Sequence, residues 1–135
     1  NPYEAFLFAR KIEGLEQGIY HYSAIDHSLG QIDSELPENF STLVGNQEWA
    51  NNMSGILILV ANFERTMWKY DDPNAYRVVL IEAGHIGQNI LLSATNDGLA
   101  ACPTAALTHD ILFEILKLPS RIVCAPIYAV AFGTL

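Results

Sequence analysis

Apolar and polar positions follow one another in blocks whose period changes along the chain. Residues 4–12 (EAFLFARKI) are an aromatic and apolar run with polar ends, which predicts a strand. Gly14 and Gly18 mark a turn, and Gly18-Ile19-Tyr20-His21-Tyr22 then alternates as a second strand. A turn over 23–26 leads into a short return over 27–32, so this part reads as an antiparallel meander at a sheet edge. Ser34, with Pro37 and Glu38 behind it, predicts a helix running to about Val44, followed by a polar loop over 45–54. Residues 55–63 (GILILVANF) are continuously apolar and rich in β-branched side chains, the pattern of a central strand buried on both faces.

The longest signal is helical. Asp72-Pro73-Asn74 combines an acidic residue, a proline and a capping candidate, and predicts a helix from Ala75 to Asn96. Gly98 stands where a left-handed terminator belongs. Tyr76, Leu80, Ala83, Gly87, Ile90 and Ala94 repeat at helical spacing, while Val79, Ile81, Ile86, Leu91 and Leu92 fill most other faces. A helix apolar nearly all round must be buried. A chain of 135 residues cannot wrap it completely, so part of it is expected to meet another subunit. Gly84 and Gly87 would let another element come close. Beyond it, 98–106 reads as a small-residue loop between two helices. Thr108 caps a shorter helix to about Lys117, Pro119 ends it, and 122–132 is a last strand. Strands, a long helix, a short helix and a strand make an α+β fold, one domain over 1–135.

Composition sharpens this picture. Half of the residues are apolar and 16% are charged, which excludes disorder and falls below the ~25% charged residues of a usual soluble domain. With so little polar surface, a large subunit interface is expected. The net charge is −8 and the basic residues are scattered, whereas nucleic-acid binding needs them clustered; no nucleic-acid partner is expected. No run approaches the ~20 apolar residues of a membrane span, so no membrane partner is expected either. Cys102 and Cys124 sit in apolar surroundings, which fits a reducing, cytoplasmic location better than a disulfide scaffold.

Conventional sites are mostly missing. His21, His27, His85 and His109 lack metal-ligand spacing, so no metal is expected. There is no phosphate-binding glycine loop and no G-x-S-x-G elbow. Two places remain. In Arg65-Thr-Met-Trp68-Lys69-Tyr70, adjacent Lys69 and Tyr70 could serve proton transfer if burial lowered the lysine pKa; the spacing equally fits a packed Tyr70 and a solvated Lys69. In Gly98-Leu-Ala-Ala-Cys102-Pro103-Thr104-Ala105-Ala106, small side chains would let backbone N–H groups approach a flat ligand, or simply connect two helices.

Taken together, Trp68-Lys-Tyr70, the run Tyr76-Arg-Val-Val-Leu-Ile-Glu-Ala-Gly84-His-Ile-Gly-Gln88-Asn89, and Gly98-Leu resemble the nitroreductase superfamily. More narrowly they resemble its branch of azoline dehydrogenases from thiazole- and oxazole-forming peptide synthetases. Asn1-Pro2-Tyr3-Glu4-Ala5-Phe6, Gly18-Ile-Tyr-His-Tyr22 and His27-Ser-Leu29 match the same branch, so the resemblance covers nearly the whole chain.

The resemblance implies a nitroreductase-like, mainly antiparallel sheet and a homodimer through the helix from Ala75 to Asn96, with FMN at the subunit interface. It implies that Pro103, Thr104, Ala105 and Ala106 lie against the flavin ring, with a backbone N–H aimed at flavin N5. It implies that Lys69 and Tyr70 act in proton removal while hydride leaves to FMN. The substrate would be an azoline in a peptide, or a small nitro compound or quinone reduced with NAD(P)H. Family members carry an Arg-rich segment for the FMN phosphate and a Pro-Ser-Gly-Gly-type loop ahead of the residues matching Asn1-Pro2-Tyr3, so the chain reads as the C-terminal part of such a protein. The alternative is a catalytically silent scaffold or binding module that keeps the dimer core without FMN.

Overall fold

The computed structural model describes residues 1–134. Its chain order is β1 (Tyr3–Ala9), β2 (Gly18–Ser23), β3 (Ser28–Asp33), two 3₁₀ turns (Phe40–Leu43 and Glu48–Asn52), β4 (Gly55–Asn62), α1 (Glu64–Met67), α2 (Asn74–Asn96), β5 (Ala100–Thr104), α3 (His109–Ile115) and β6 (Cys124–Gly133). The strands form one antiparallel sheet in the order β3-β2-β1-β4-β6-β5. The α+β class and the central place of the apolar strand are as the pattern predicts.

Alternation along the strands divides the core. Phe6, Phe8, Ile19, Ile56, Ile58, Val60, Ala129 and Ala131 meet Phe40, Leu43, Val44, Leu112 and Leu116 on one face. Leu7, Ala9 and Tyr20 cluster with Leu57 and Phe132 on the other. Side chains two apart share a face, so β4 can supply both layers only because its positions from Ile56 to Ala61 are all apolar.

The long helix begins where the sequence places it, but the capping residue is Asp72. Its side chain accepts the Asn74 N–H at 2.7 Å, which leaves Pro73 at the first helical position, where a missing N–H is harmless. Gly98 terminates the helix with φ +72. The buried side is narrow and small: Ala75, Val79, Ala83, Gly87 and Ala94. Tyr76, Val78, Leu80, Ile81 and Leu92 are exposed on this single chain. The sheet therefore covers one stripe of the helix and leaves the outer apolar stripe free.

Four expectations are corrected. No helix runs over 34–44; the segment condenses to the 3₁₀ turn Phe40–Leu43, because Phe40 and Leu43 enter the core at i, i+3 spacing. The polar loop over 45–54 contains the second 3₁₀ turn, Glu48–Asn52. The first strand stops at Ala9, and Ile12 instead bridges to Leu15. The small-residue segment is not a loop between helices. Ala100–Thr104 pairs with β6 from Ala100↔Gly133 to Thr104↔Ala129, so Pro103 and Thr104 lie in an edge strand and Ala105 and Ala106 follow it. Ladder hydrogen bonding outweighs the poor strand propensity of alanine and proline here, and an edge is where proline is tolerated. No helix of the described residues is long and apolar enough to cross a membrane.

Candidate functional site

The first candidate segment lies beside the start of α2. From Phe63 to Tyr70 the backbone winds continuously: Met67 N–H bonds to Phe63 O, Trp68 N–H to Glu64 O, and Tyr70 N–H to Thr66 O. None of the α1 residues is buried. Lys69 and Tyr70 are both exposed, and the Lys69 Nζ stands 5.4 Å from the centre of the Tyr70 ring. They share the wall of a cleft of about 950 Å³ with Tyr3, Arg65, Glu82, His85 and Asn89. Lys69 and Tyr70 therefore stand together on one cleft wall, open to solvent in this single chain.

The rest of the cleft was not singled out from the sequence. Glu82, His85 and Asn89 follow α2 at i, i+3, i+7, a polar stripe beside the apolar one, and that spacing was the available signal. The Tyr3 hydroxyl donates to the Val79 carbonyl. Burial, and then the Glu82 carboxylate beside it, push the Tyr3 pKa up to about 12, so it stays a neutral donor. The His85 Nδ1 lies 2.9 Å from the Ile81 carbonyl oxygen. A carbonyl can only accept, so Nδ1 carries hydrogen and Nε2 keeps the lone pair in the neutral ring.

Behind the cleft, Glu4 joins three elements. One carboxylate oxygen pairs with the Arg65 guanidinium from α1, and the other lies 2.6 Å from His21 Nε2 on β2. Burial pushes the Glu4 carboxyl up, but the hydrogen bonds from His21 and Arg65 outweigh it and hold the group below its ordinary value. Arg65 is thereby neutralised, which leaves Lys69 as the one uncompensated Lys or Arg lining the cleft among the described residues.

The second candidate segment is elsewhere. Pro103, Thr104, Ala105 and Ala106 do not line this cleft, which runs along α2 from Asn74 to Asn89, whereas β5 follows the C-terminal end of the helix. Thr104 is buried and its Oγ1 accepts the Ala106 N–H at 3.0 Å. Pro103 has no N–H. Ala105 is exposed, and its N–H donates to no group among the described residues outside the sheet ladder. Among the described residues no three His, Cys, Asp or Glu side chains gather as a metal site.

A six-stranded antiparallel sheet backed by one long helix, with an edge strand of small residues beyond it, matches a known family. The model of the nitroreductase family matches residues 2–134, and the chain belongs to that family. It is 34% identical over 118 residues to a Methanocaldococcus jannaschii protein described as a nitroreductase, covering 87% of this chain and 59% of that one. It is 32% identical over 114 residues to the trifolitoxin-processing protein TfxB of Rhizobium leguminosarum bv. trifolii, covering 80% of this chain and 30% of that one. Among solved structures it resembles the E. coli microcin synthetase McbBCD complex with truncated pro-MccB17 bound. That match has a TM-score of 0.82 and 25% identity, and covers 99% of this chain and 52% of the matched one. The last two support the azoline-dehydrogenase-like branch. The chain thus spans less than two thirds of each of these proteins.

Proposed function

We propose that this chain is part of an FMN-dependent oxidoreductase whose site is completed between two copies of the chain. The carrying observation is the separation of two complementary surfaces. A cleft runs along α2 with Lys69 and Tyr70 at its N-terminal end, and a strip of small residues at Pro103–Ala106 follows the C-terminal end. Gly84 lies near the middle of α2, and a Cβ there would meet nothing within 4 Å. A glycine that no neighbour requires weakens a helix by ~1 kcal/mol, which is understandable where a second backbone crosses. Two α2 helices crossing antiparallel at Gly84 bring the cleft of one copy toward the strip of the other and cover Leu80 and Ile81. Such a two-fold interface presents the same patch from both copies.

FMN fits the strip in one respect and the cleft in another. Pro103, Ala105 and Ala106 put little side-chain bulk before a flat ring, and the Ala105 N–H is the donor assigned to a ring nitrogen, since Pro103 has none and Ala106 gives its own to Thr104. The phosphate is the part of FMN that these residues fit least, because among the described residues Lys69 is the only Lys or Arg lining the cleft without an ion-pair partner. When bound, the flavin supplies hydride transfer. The chain's own share is to position the substrate and to move a proton at Lys69 Nζ or the Tyr70 hydroxyl, with the neutral His85 ring offering an acceptor at Nε2 beside them. The likeness to the trifolitoxin-processing protein and to the microcin synthetase complex favours an azoline in a peptide as substrate over a nitro compound or quinone. The two free cysteines accord with a reducing, cytoplasmic setting.

The test is a visible flavin spectrum of the full-length protein, followed by turnover of a thiazoline-containing peptide. A colourless protein that gains no flavin band on adding FMN would overturn the reading in favour of a silent scaffold. Mixing Lys69→Ala chains with Ala105→Pro chains checks the shared site: mixed dimers recover activity that neither parent has.

A further inference from the structure

Resting on the reading above for its catalytic arm only, we infer that Glu4 is the positioning residue for Lys69 and Tyr70, acting through Arg65. The one-turn helix α1 carries Trp68, Lys69 and Tyr70 in unbroken backbone hydrogen bonding. It buries none of its residues, so apolar packing does not fix it. Upstream, Phe63 is fastened by its N–H to the Val123 carbonyl at 2.8 Å and by ring contact with Tyr76 at 5.1 Å. Those contacts, with the Glu64 N–H bonded to Asn62 Oδ1 at 3.2 Å, fix where the turn starts. Among the described residues the Glu4–Arg65 pair is the only ion pair that runs from this segment to the sheet.

Glu4 is suited to this as few surface carboxylates are. It stands in β1 opposite Val60 in β4, one residue before the β2 pairing begins at Ala5. Its second oxygen is held by His21, whose ring packs on Phe6 at 5.2 Å. The carboxylate is therefore fixed before Arg65 reaches it, and both oxygens are used. A pair between two flexible side chains contributes little because both must be immobilised. Here one partner is already held, and the other belongs to a turn that buries none of its own residues. Arg65 also lines the cleft itself, next to Lys69. A misplacement of about 1 Å is enough to lower turnover by up to a hundredfold, so a modest tether can matter greatly for rate and little for folding.

The experiment uses full-length protein labelled with 5-fluorotryptophan, because Trp68 lies on the tethered turn and Trp49 packs on the far core. Glu4→Gln is expected to shift or broaden the Trp68 fluorine resonance and leave that of Trp49 in place. It is also expected to lower kcat on a thiazoline-containing peptide about tenfold with KM unchanged. The reciprocal pair Glu4→Arg with Arg65→Glu is expected to restore both, where either single change does not. An unchanged Trp68 resonance in Glu4→Gln overturns the proposal, as does failure of the reciprocal pair to restore it. If Glu4→Gln does not fold, Arg65→Gln cuts the same pair from the exposed side and is read in the same way. The resonance decides even if the protein turns over no azoline, so failure of the flavin reading is seen separately.

Discussion

A Cβ on Gly87 would lie 2.2 Å from Cε1 of Tyr128, so α2 and β6 touch at a point where only glycine fits. Tyr128 occupies the space that any other residue at 87 would need. The same contact sets how closely the helix lies on the sheet, and through it where both ends of α2 are held.

Gly87→Ala is expected to destabilise the fold by about 1–3 kcal/mol through overpacking, despite alanine's better helix propensity. Gly84→Ala should behave oppositely in dilute solution, stabilising the isolated chain by ~0.5–1 kcal/mol, because its Cβ meets nothing. Urea denaturation of both variants checks the contrast.

The exposed apolar stripe of α2 gives a second expectation. Ile81 is 52% exposed, so Ile81→Asp should leave the chain folded while moving its sedimentation toward monomer. Gly84→Ala should move it the same way. Unchanged mass in both variants would remove the proposed crossing of helices.

Lys69→Ala and Tyr70→Phe should each lower turnover about a hundredfold or more, the usual scale for losing a general acid or base. Both residues are exposed, so thermal stability should change by no more than about 0.5 kcal/mol. Loss of activity together with loss of folding would argue for a structural role.

Glu4 makes acid stability measurable. Its carboxyl is held below its ordinary value, so its contribution is complete above the ordinary glutamate pKa of ~4.3 and is lost as pH falls through the lower folded value. The Tm difference between wild type and Glu4→Gln should therefore be full near neutrality and shrink progressively below about pH 4.

Tyr3 gives the alkaline counterpart. Its pKa is raised to about 12, above the ordinary ~10, so its contribution is complete below pH ~10 and is lost as pH rises toward 12. Ultraviolet titration should show one of the six tyrosines ionising late, and Tyr3→Phe should remove that late step.

Local pattern by itself determined the apolar central strand, the meander before it, and the extent of the long helix, because each rests on its own residues. It also marked Lys69 and Tyr70 and the small-residue stretch Pro103 to Ala106. What it could not determine was partner choice. Ala100–Thr104 became a strand because β6 was there to pair with, and 34–44 gave up a helix because Phe40 and Leu43 were drawn into a distant core. Residues 4, 21 and 65 carry no shared motif, and only the stacking of β2, β1 and α1 makes them one charged cluster. The helix's single-sided burial was likewise settled by the tertiary structure. A hydrophobic pattern records that a face avoids water, whereas the fold decides which faces one chain can cover and which are left for a second.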